Sequence, residues 1–288
     1  MLLNASGCLD ALTAPDAARA LDAYVTKTVT PEPRDGNPPV RIAETDHGML
    51  NAIGLANPGR DAFVRETLPR LATLLQIPVW VSVGGFAAHE YAETCARLDG
   101  DEVAGVELNL SCPNVDEAPE SAAEIVAACR AATELPLYAK LSPAAWDIAE
   151  SARAVEAAGA DGLSLVNTIR GLALDARLRP ALARATGGYS GPALKPIALA
   201  AVYACRRATR LPIVGMGGVR TGRDALELIA CGANHVALGT VFFSDNNAAE
   251  RIRAELAEEA VGSGFATADD ALSTAHEDAF SRVVTMEN

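Results

Sequence analysis

The feature that most limits how this chain can fold is a short run of apolar and β-branched residues that recurs from end to end, bounded each time by Gly, Pro or charged clusters. Such runs stand at LLNA (2–5), AYVTK (23–27), PVWVSV (78–83), GVELNL (105–110), PLYAKL (136–141), GLSLVN (162–167), PIVGMG (212–217) and HVALG (235–239). Runs of this length, apolar almost throughout, are what strands buried on both faces require. Between most of them lie Ala/Glu/Arg-rich stretches with helical periodicity. AWDIAESARAVEAAG, for example, sets Ile148, Ala152 and Val155 on one face and stops at Gly159. Strand and helix alternating through eight strands predict an α/β fold, a single TIM (β/α)8 barrel with residues 1–288 in one domain. The stretches 158–168 (AGADGLSLVNT) and 231–241 (CGANHVALGTV) echo one another, as successive βα units do.

A net charge of −13 argues against nucleic acid or an anionic membrane surface as partner, because polyanion binding needs a basic patch. No apolar stretch approaches a membrane span, and MLLNASG has neither the basic nor the apolar part of a signal peptide, so a cytoplasmic protein is expected. The cysteines Cys8, Cys95, Cys112, Cys129, Cys205 and Cys231 include no C-x-x-C pair, and the histidines stand alone; no metal site and no disulfide framework is predicted. Arginine is the default cation: lysine occurs only as Lys27, Lys140 and Lys195. A lysine kept against that bias suits a place where a compact ammonium fits and a planar fork does not, although arginine-rich coding bias also leaves a few.

Two connections are longer than plain crossovers: the one after Lys27 and the one between Asn167 and Lys195. Both start at the carboxyl end of a predicted strand, where such barrels build their active sites, so they are read as long loops covering a substrate. Lys27 and Lys140 close their strands at the same end. A buried ammonium there can stabilise an anionic substrate or the charge that collects on a reduced flavin, or it can serve as an ion-pair partner for a carboxylate such as Glu107. Asn109 and Asn167 stand at corresponding strand ends, suited to reading a ring edge of carbonyl and N–H groups or to capping the next turn. The last two strands end in GMGGV (215–219) and LGT (238–240), where glycines admit backbone N–H groups close to a ligand. The helix predicted to begin near Thr221 is expected to point its positive end into the same space and complete a phosphate site.

These residues resemble the soluble, cysteine-using class 1 dihydroorotate dehydrogenases over almost the whole chain. The resemblance is carried by NASG (4–7), TKT (26–28), EPRDGNP (32–38), MLNAIGLANPG (49–59), ELNLSCPN (107–114), KLSP (140–143), VNT (166–168), GGYSGPALKPIAL (187–199), GMGG (215–218) and GT (239–240). It implies FMN across the top of the barrel, its phosphate at Gly191, Gly217, Gly218, Gly239 and Thr240 and its ring against Ser6, Lys27, Thr28, Ser82, Asn109, Lys140 and Val166. Ser82 stands where some of the family have asparagine. Dihydroorotate is then held by Lys27, Asn51, Gly54, Leu55, Asn109, Asn114, Asn167 and Thr168, and Cys112 is the catalytic base. The cysteines Cys129, Cys205 and Cys231, in helical stretches, are read as small buried hydrophobes.

The implied reaction is oxidation of (S)-dihydroorotate to orotate in de novo pyrimidine (UMP) biosynthesis, by a homodimer. The NASG segment and the region after Gly232 look like the fumarate-using branch, whereas MLNAIGLANPG and GMGGV look like the branch that reduces NAD through an iron–sulfur, FAD-bearing partner subunit. Without clustered cysteines, this chain needs such a partner to reduce NAD. The rival readings are a related flavin barrel acting on uracil or thymine, against which Lys27 speaks, and a flavin-free phosphosugar enzyme on the same fold.

Overall fold

A computed structural model of the chain describes residues 1–98, 102–110 and 121–277. All eight expected runs form strands: β1 (Leu2–Asn4), β2 (Tyr24–Val25), β5 (Val79–Val83), β6 (Gly105–Asn109), β7 (Leu137–Lys140), β8 (Gly162–Leu165), β11 (Ile213–Met216) and β12 (His235–Leu238). They pair in parallel in the order β1-β12-β11-β8-β7-β6-β5-β2, and a parallel bridge from Leu3 to Ala23 joins the two ends into a barrel. At that seam the ladder is thin, and the side chain of Asn4 completes it: its amide donates to Val25 O at 2.7 Å and accepts from Val25 N at 2.8 Å. The helices α1 (Pro15–Arg19), α2 (Arg60–Ala62), α3 (Leu68–Leu75), α4 (Ala88–Cys95), α5 (Ala122–Ala132), α6 (Ile148–Ala157), α7 (Lys195–Ala208), α8 (Gly222–Ala230) and α9 (Ala248–Gly262) stand among these strands in the chain. Among the described residues, no helix is long and apolar enough to cross a membrane.

Side-chain alternation splits the core in two. Outward residues such as Val81, Leu108, Ala139, Leu163 and Leu238 pack under the helices, while Leu3, Val25, Trp80, Tyr138, Val214 and Met216 fill the barrel. The barrel interior has room for two aromatic rings because glycines flank them. Trp80 and Tyr138 lie 4.4 Å apart between ring centroids. A Cβ on Gly162 would come within 2.3 Å of the Tyr138 ring, and one on Gly105 within 3.3 Å of Trp80. Helix starts follow their capping signals. Ser121 and Glu124 form a capping box on α5, and Asp147 caps α6, which runs as its apolar spacing predicts.

The two long connections are not simple loops. They contain strands β3 (Ile42–Thr45), β4 (Gly48–Asn51), β9 (Ile169–Leu172) and β10 (Thr186–Ser190), which join as an antiparallel sheet in the order β3-β4-β10-β9. Tyr189 pairs with Leu50 in register, so segments far apart in sequence meet in the middle of this sheet. Its own small core is Leu50, Ala52 and Leu182.

Candidate active site

A cavity of about 280 Å³ opens at the carboxyl end of the barrel strands, with the second sheet forming one of its walls. Its size is near the lower end for small-molecule sites, roughly 300 Å³ and upward. Most of its polar groups come from strand ends or the turns just past them, where a parallel barrel leaves backbone and side chains clear of the ladder. Lys140, the last residue of β7, is 4% exposed and lies 3.2 Å from both Ser6 Oγ and Glu107 Oε1. Lys27, past β2, lines the same cavity but is exposed at its mouth, so of the two lysines expected to be buried only Lys140 is. Three residues past β2, Thr28 sets its hydroxyl 2.9 Å from that of Ser82 and accepts from Asn109 Nδ2 at 3.2 Å. Asn109 Oδ1 in turn accepts from Asn167 Nδ2 at 2.9 Å, and Asn167 Oδ1 accepts from Thr168 N at 2.9 Å. Tyr91 of α4 donates to the Asn109 carbonyl at 2.9 Å. The two strand-end asparagines therefore hold each other in one continuous polar wall, with fixed amide orientations.

Opposite this wall Gly191, Gly217, Gly218, Gly239 and Thr240 line the cavity. Gly217 and Gly218 have φ of 127° and 77°, values that side chains rarely adopt. A Cβ on Gly218 would stand 2.8 Å from Lys195 N, so the loop is packed tightly on the start of α7. Among the described residues, no acceptor is hydrogen-bonded to the N–H of Gly218 or Val219. Two adjacent backbone donors beside a cavity suit an anion such as a phosphate.

The start of α8 does not add to this anion site, contrary to the expectation from sequence. Its first N–H groups are already used: the Asp224 carboxylate accepts from Arg220 N and Thr221 N, the Thr221 hydroxyl accepts from Asp224 N, and Glu255 accepts from Gly222 N. Lys195 Nζ then binds Asp224 at 2.6 Å and Glu227 at 2.8 Å. Burial pushes the Asp224 carboxyl up, but the hydrogen bonds from Lys195, Arg220 N–H and Thr221 outweigh it and hold the group below its usual range. The third lysine is thus a clamp between α7 and α8 that backs the glycine loop.

Of the residues expected at the site, Ser6, Lys27, Thr28, Asn51, Leu55, Asn109, Lys140, Val166, Asn167, Thr168, Gly191, Gly217, Gly218, Gly239 and Thr240 line this one cavity. Ser82 is fully buried and sits behind Thr28; Gly54, at φ 75°, is packed on Asn37 rather than exposed to the cavity. Cys112 and Asn114 lie outside the described residues, in the stretch just past Asn109 and Leu110. Sequence reasoning missed Cys8, which lines the cavity and whose only signal was its place next to NASG. Burial pushes its thiol up, against the pull of the Lys140 and Lys27 ammonium groups and with a smaller push from Glu107, so Cys8 stays protonated near neutral pH. Of the apolar part of the wall, Ile42, Met49 and Ile53 belong to the first long connection expected to cover the substrate, whereas Met216 and Phe243 were unforeseen. Cys129 and Cys205 are buried in α5 and α7 as expected, while Cys231, past the end of α8, is half-buried.

Comparison with known proteins agrees with this geometry. The profile of the family described as dihydroorotate dehydrogenase matches residues 1–260. The catalytic subunit of dihydroorotate dehydrogenase B (NAD(+)) from Trichlorobacter lovleyi is 48% identical over 241 residues, 81% of this chain and 79% of that one. The protein of the same name from Geobacter sulfurreducens is 48% identical over 256 residues, 86% of this chain and 84% of that one. In structure, a dihydroorotate dehydrogenase from Eimeria tenella, crystallised with ferulenol, superposes with a TM-score of 0.78 over 96% of this chain and 85% of that one. At 23% identity that match speaks for the fold alone.

Proposed function

Since the chain belongs to the dihydroorotate dehydrogenase family, we propose that it oxidises (S)-dihydroorotate to orotate on an FMN held in this cavity and passes the electrons to NAD through a partner subunit. One observation carries the reading: the ammonium of Lys27 and the amides of Asn51, Asn109 and Asn167 come from four separate segments and line one cavity, next to a glycine loop with two unused N–H donors. A flat acid with ring carbonyl and N–H groups asks for that combination of cation and amides.

The residues fit the cofactor as well. Gly218 and Val219 offer the backbone donors that a phosphate needs, and a side chain at Gly217 or Gly218 would collide with Ala198 or Lys195 of α7 and shift the loop that presents them. Lys140 and Ser6 offer a cation and a hydroxyl to the electron-rich part of the ring system. When bound, FMN supplies a two-electron acceptor for the hydride at C6 of the substrate.

The chain's own groups do the rest. Lys27 holds the substrate carboxylate at the mouth of the cavity, and Asn51, Asn109, Asn167 and Thr168 fix the ring by its carbonyl and N–H edges. Cys112, three residues past Asn109, takes the proton from C5 through its Sγ as general base. The second sheet covers the substrate and keeps water from that proton transfer. The relatives named as catalytic subunits of an NAD(+)-linked enzyme support a partner subunit for the last transfer, and an iron–sulfur, FAD-bearing partner is the one this reading assigns.

The test is anaerobic mixing of the purified yellow protein with dihydroorotate. Bleaching of the flavin is expected, with colour restored by NAD only when the partner subunit is added. A colourless protein that takes up no FMN, or fumarate restoring the colour at full rate without a partner, would overturn the corresponding part of the reading. The Cys112→Ala variant should keep its flavin and lose two to four orders of magnitude in turnover near neutral pH, on the order of what a positioned base supplies. Undiminished turnover would remove Cys112 from the mechanism.

A further inference from the structure

Glu107 belongs to β6 and, two residues before Asn109, points to the same inner side of the barrel. It is 1% exposed and lines no part of the cavity; its Oε1 lies 3.2 Å from Lys140 Nζ, which does line it. Much of the barrel interior around the pair is apolar, including Leu3, Val25, Trp80, Tyr138, Val214 and Met216. Burying two ions among such residues costs several kcal/mol apiece, and an apolar pair of the same volume stabilises a core at least as well. The barrel does not need this pair for stability, so its use lies in what Lys140 faces.

Resting on the FMN reading above, we propose that Glu107 is a positioning residue that pins the Lys140 ammonium at the cavity wall and offsets part of its charge, thereby setting how strongly the site favours the reduced, negatively charged flavin. The distances support both halves of this role. Lys140 Nζ is fixed from two sides, by Glu107 and by Ser6 Oγ at 3.2 Å each, which leaves it little freedom to turn toward or away from a ring. At such a separation inside a protein, one carboxylate cancels much of a neighbouring ammonium's field on a third group. A bare lysine here would bias the flavin toward reduction and slow its reoxidation by the partner subunit; the paired one leaves the two half-reactions in balance.

Sulfite is the probe. It adds through its sulfur lone pair to flavin N5, forming one S–N bond and placing negative charge on the ring with no oxidant or reductant required, so its affinity reads the field at the ring without turnover. Glu107→Gln keeps an oxygen for Lys140 to donate to and removes the anion. In the FMN-loaded variant we expect the sulfite dissociation constant to fall at least tenfold and the two-electron midpoint potential to rise by about 30 mV for each factor of ten. A role confined to folding would lower stability and leave both readings where they are. An FMN-loaded Glu107→Gln protein whose sulfite affinity stays within twofold of the parent, or weakens, overturns the proposal. If that variant does not bind flavin, Glu107→Asp, which draws the carboxylate back from Lys140, is read in the same way: tighter sulfite binding supports the proposal and unchanged binding overturns it. Failure of the parent protein itself to bind FMN sinks the reading of the site, a result distinguishable from a flavoprotein whose potential ignores Glu107.

Discussion

Replacing Asn4 by alanine tests how the barrel is closed. The seam between β1 and β2 has a single backbone bridge, Leu3 to Ala23, and the fully buried Asn4 side chain supplies two more hydrogen bonds by taking both polar groups of Val25 at 2.7 and 2.8 Å. Val25 cannot turn to another strand, because its neighbours Tyr24 and Thr26 already donate to Pro78 O, just before β5, and to Trp80 O within it. In Asn4→Ala, a buried N–H and a buried C=O both lose their partners, at roughly 1–3 kcal/mol each. The total is then about 2–6 kcal/mol, a large part of the ~5–15 kcal/mol that holds a typical domain together. For a chain somewhat larger than those for which 1 kcal/mol moves the midpoint by roughly 2–4 °C, the expected fall in Tm is on the order of 10 °C. Far-UV circular dichroism at a fixed scan rate measures it, and hydrogen exchange at the Val25 amide locates it. A Tm within about 2 °C of the parent, a loss of under ~1 kcal/mol on the same scale, with Val25 still protected, refutes the idea that a side chain closes the barrel.

Three further outcomes follow from the geometry. Gly162→Ala drives a Cβ to 2.3 Å from the Tyr138 ring and should cost roughly 1–3 kcal/mol in urea unfolding, mostly recovered by adding Tyr138→Leu; simple additivity of the two changes would contradict the clash. Gly218→Ala, at φ 77° and against Lys195 N, should weaken FMN binding about tenfold by flavin fluorescence while leaving the circular dichroism spectrum intact, since forcing a left-handed residue costs ~1–2 kcal/mol. For Asp224, whose carboxyl is held below its usual range in the fold, the stabilisation is present above the unfolded pKa of about 3.9 and is lost as pH falls through the lower folded value. Asp224→Asn should therefore be less stable than the parent at neutral pH, and the gap should close on acidification; a gap that persists unchanged in acid would assign the loss to something other than charge.

The barrel was legible because parallel strands covered on both faces must be apolar almost throughout, and each of the eight runs, such as PVWVSV, keeps that character. The second sheet was not, because β10 is TGGYS and β4 is GMLN, short pieces with no alternation of their own, and the pairing that joins them at the sheet's centre spans more than a hundred residues. Pairing of that kind leaves no local trace. Most of the candidate site followed from strand ends plus resemblance, and Lys27 and Lys140 do meet at one cavity. The misreading of α8 had a visible remedy: Thr221 and Asp224 stand at the spacing of a capping box, a sign that the helix satisfies its own donors. Ser82 was placed one layer too far forward because residue spacing says which side of a strand a side chain takes but not whether a neighbour such as Thr28 stands before it.

The roof over the cavity has two authors. Because β4 and β10 lie side by side at its centre, an insertion from the second barrel unit and one from the sixth each supply half of a single structure. Transplanting either segment alone onto another barrel would leave it with a raw strand edge and no partner. Anyone who wishes to move this protein's substrate preference to a new scaffold, or to reshape it by directed evolution, must therefore carry or randomise both segments together.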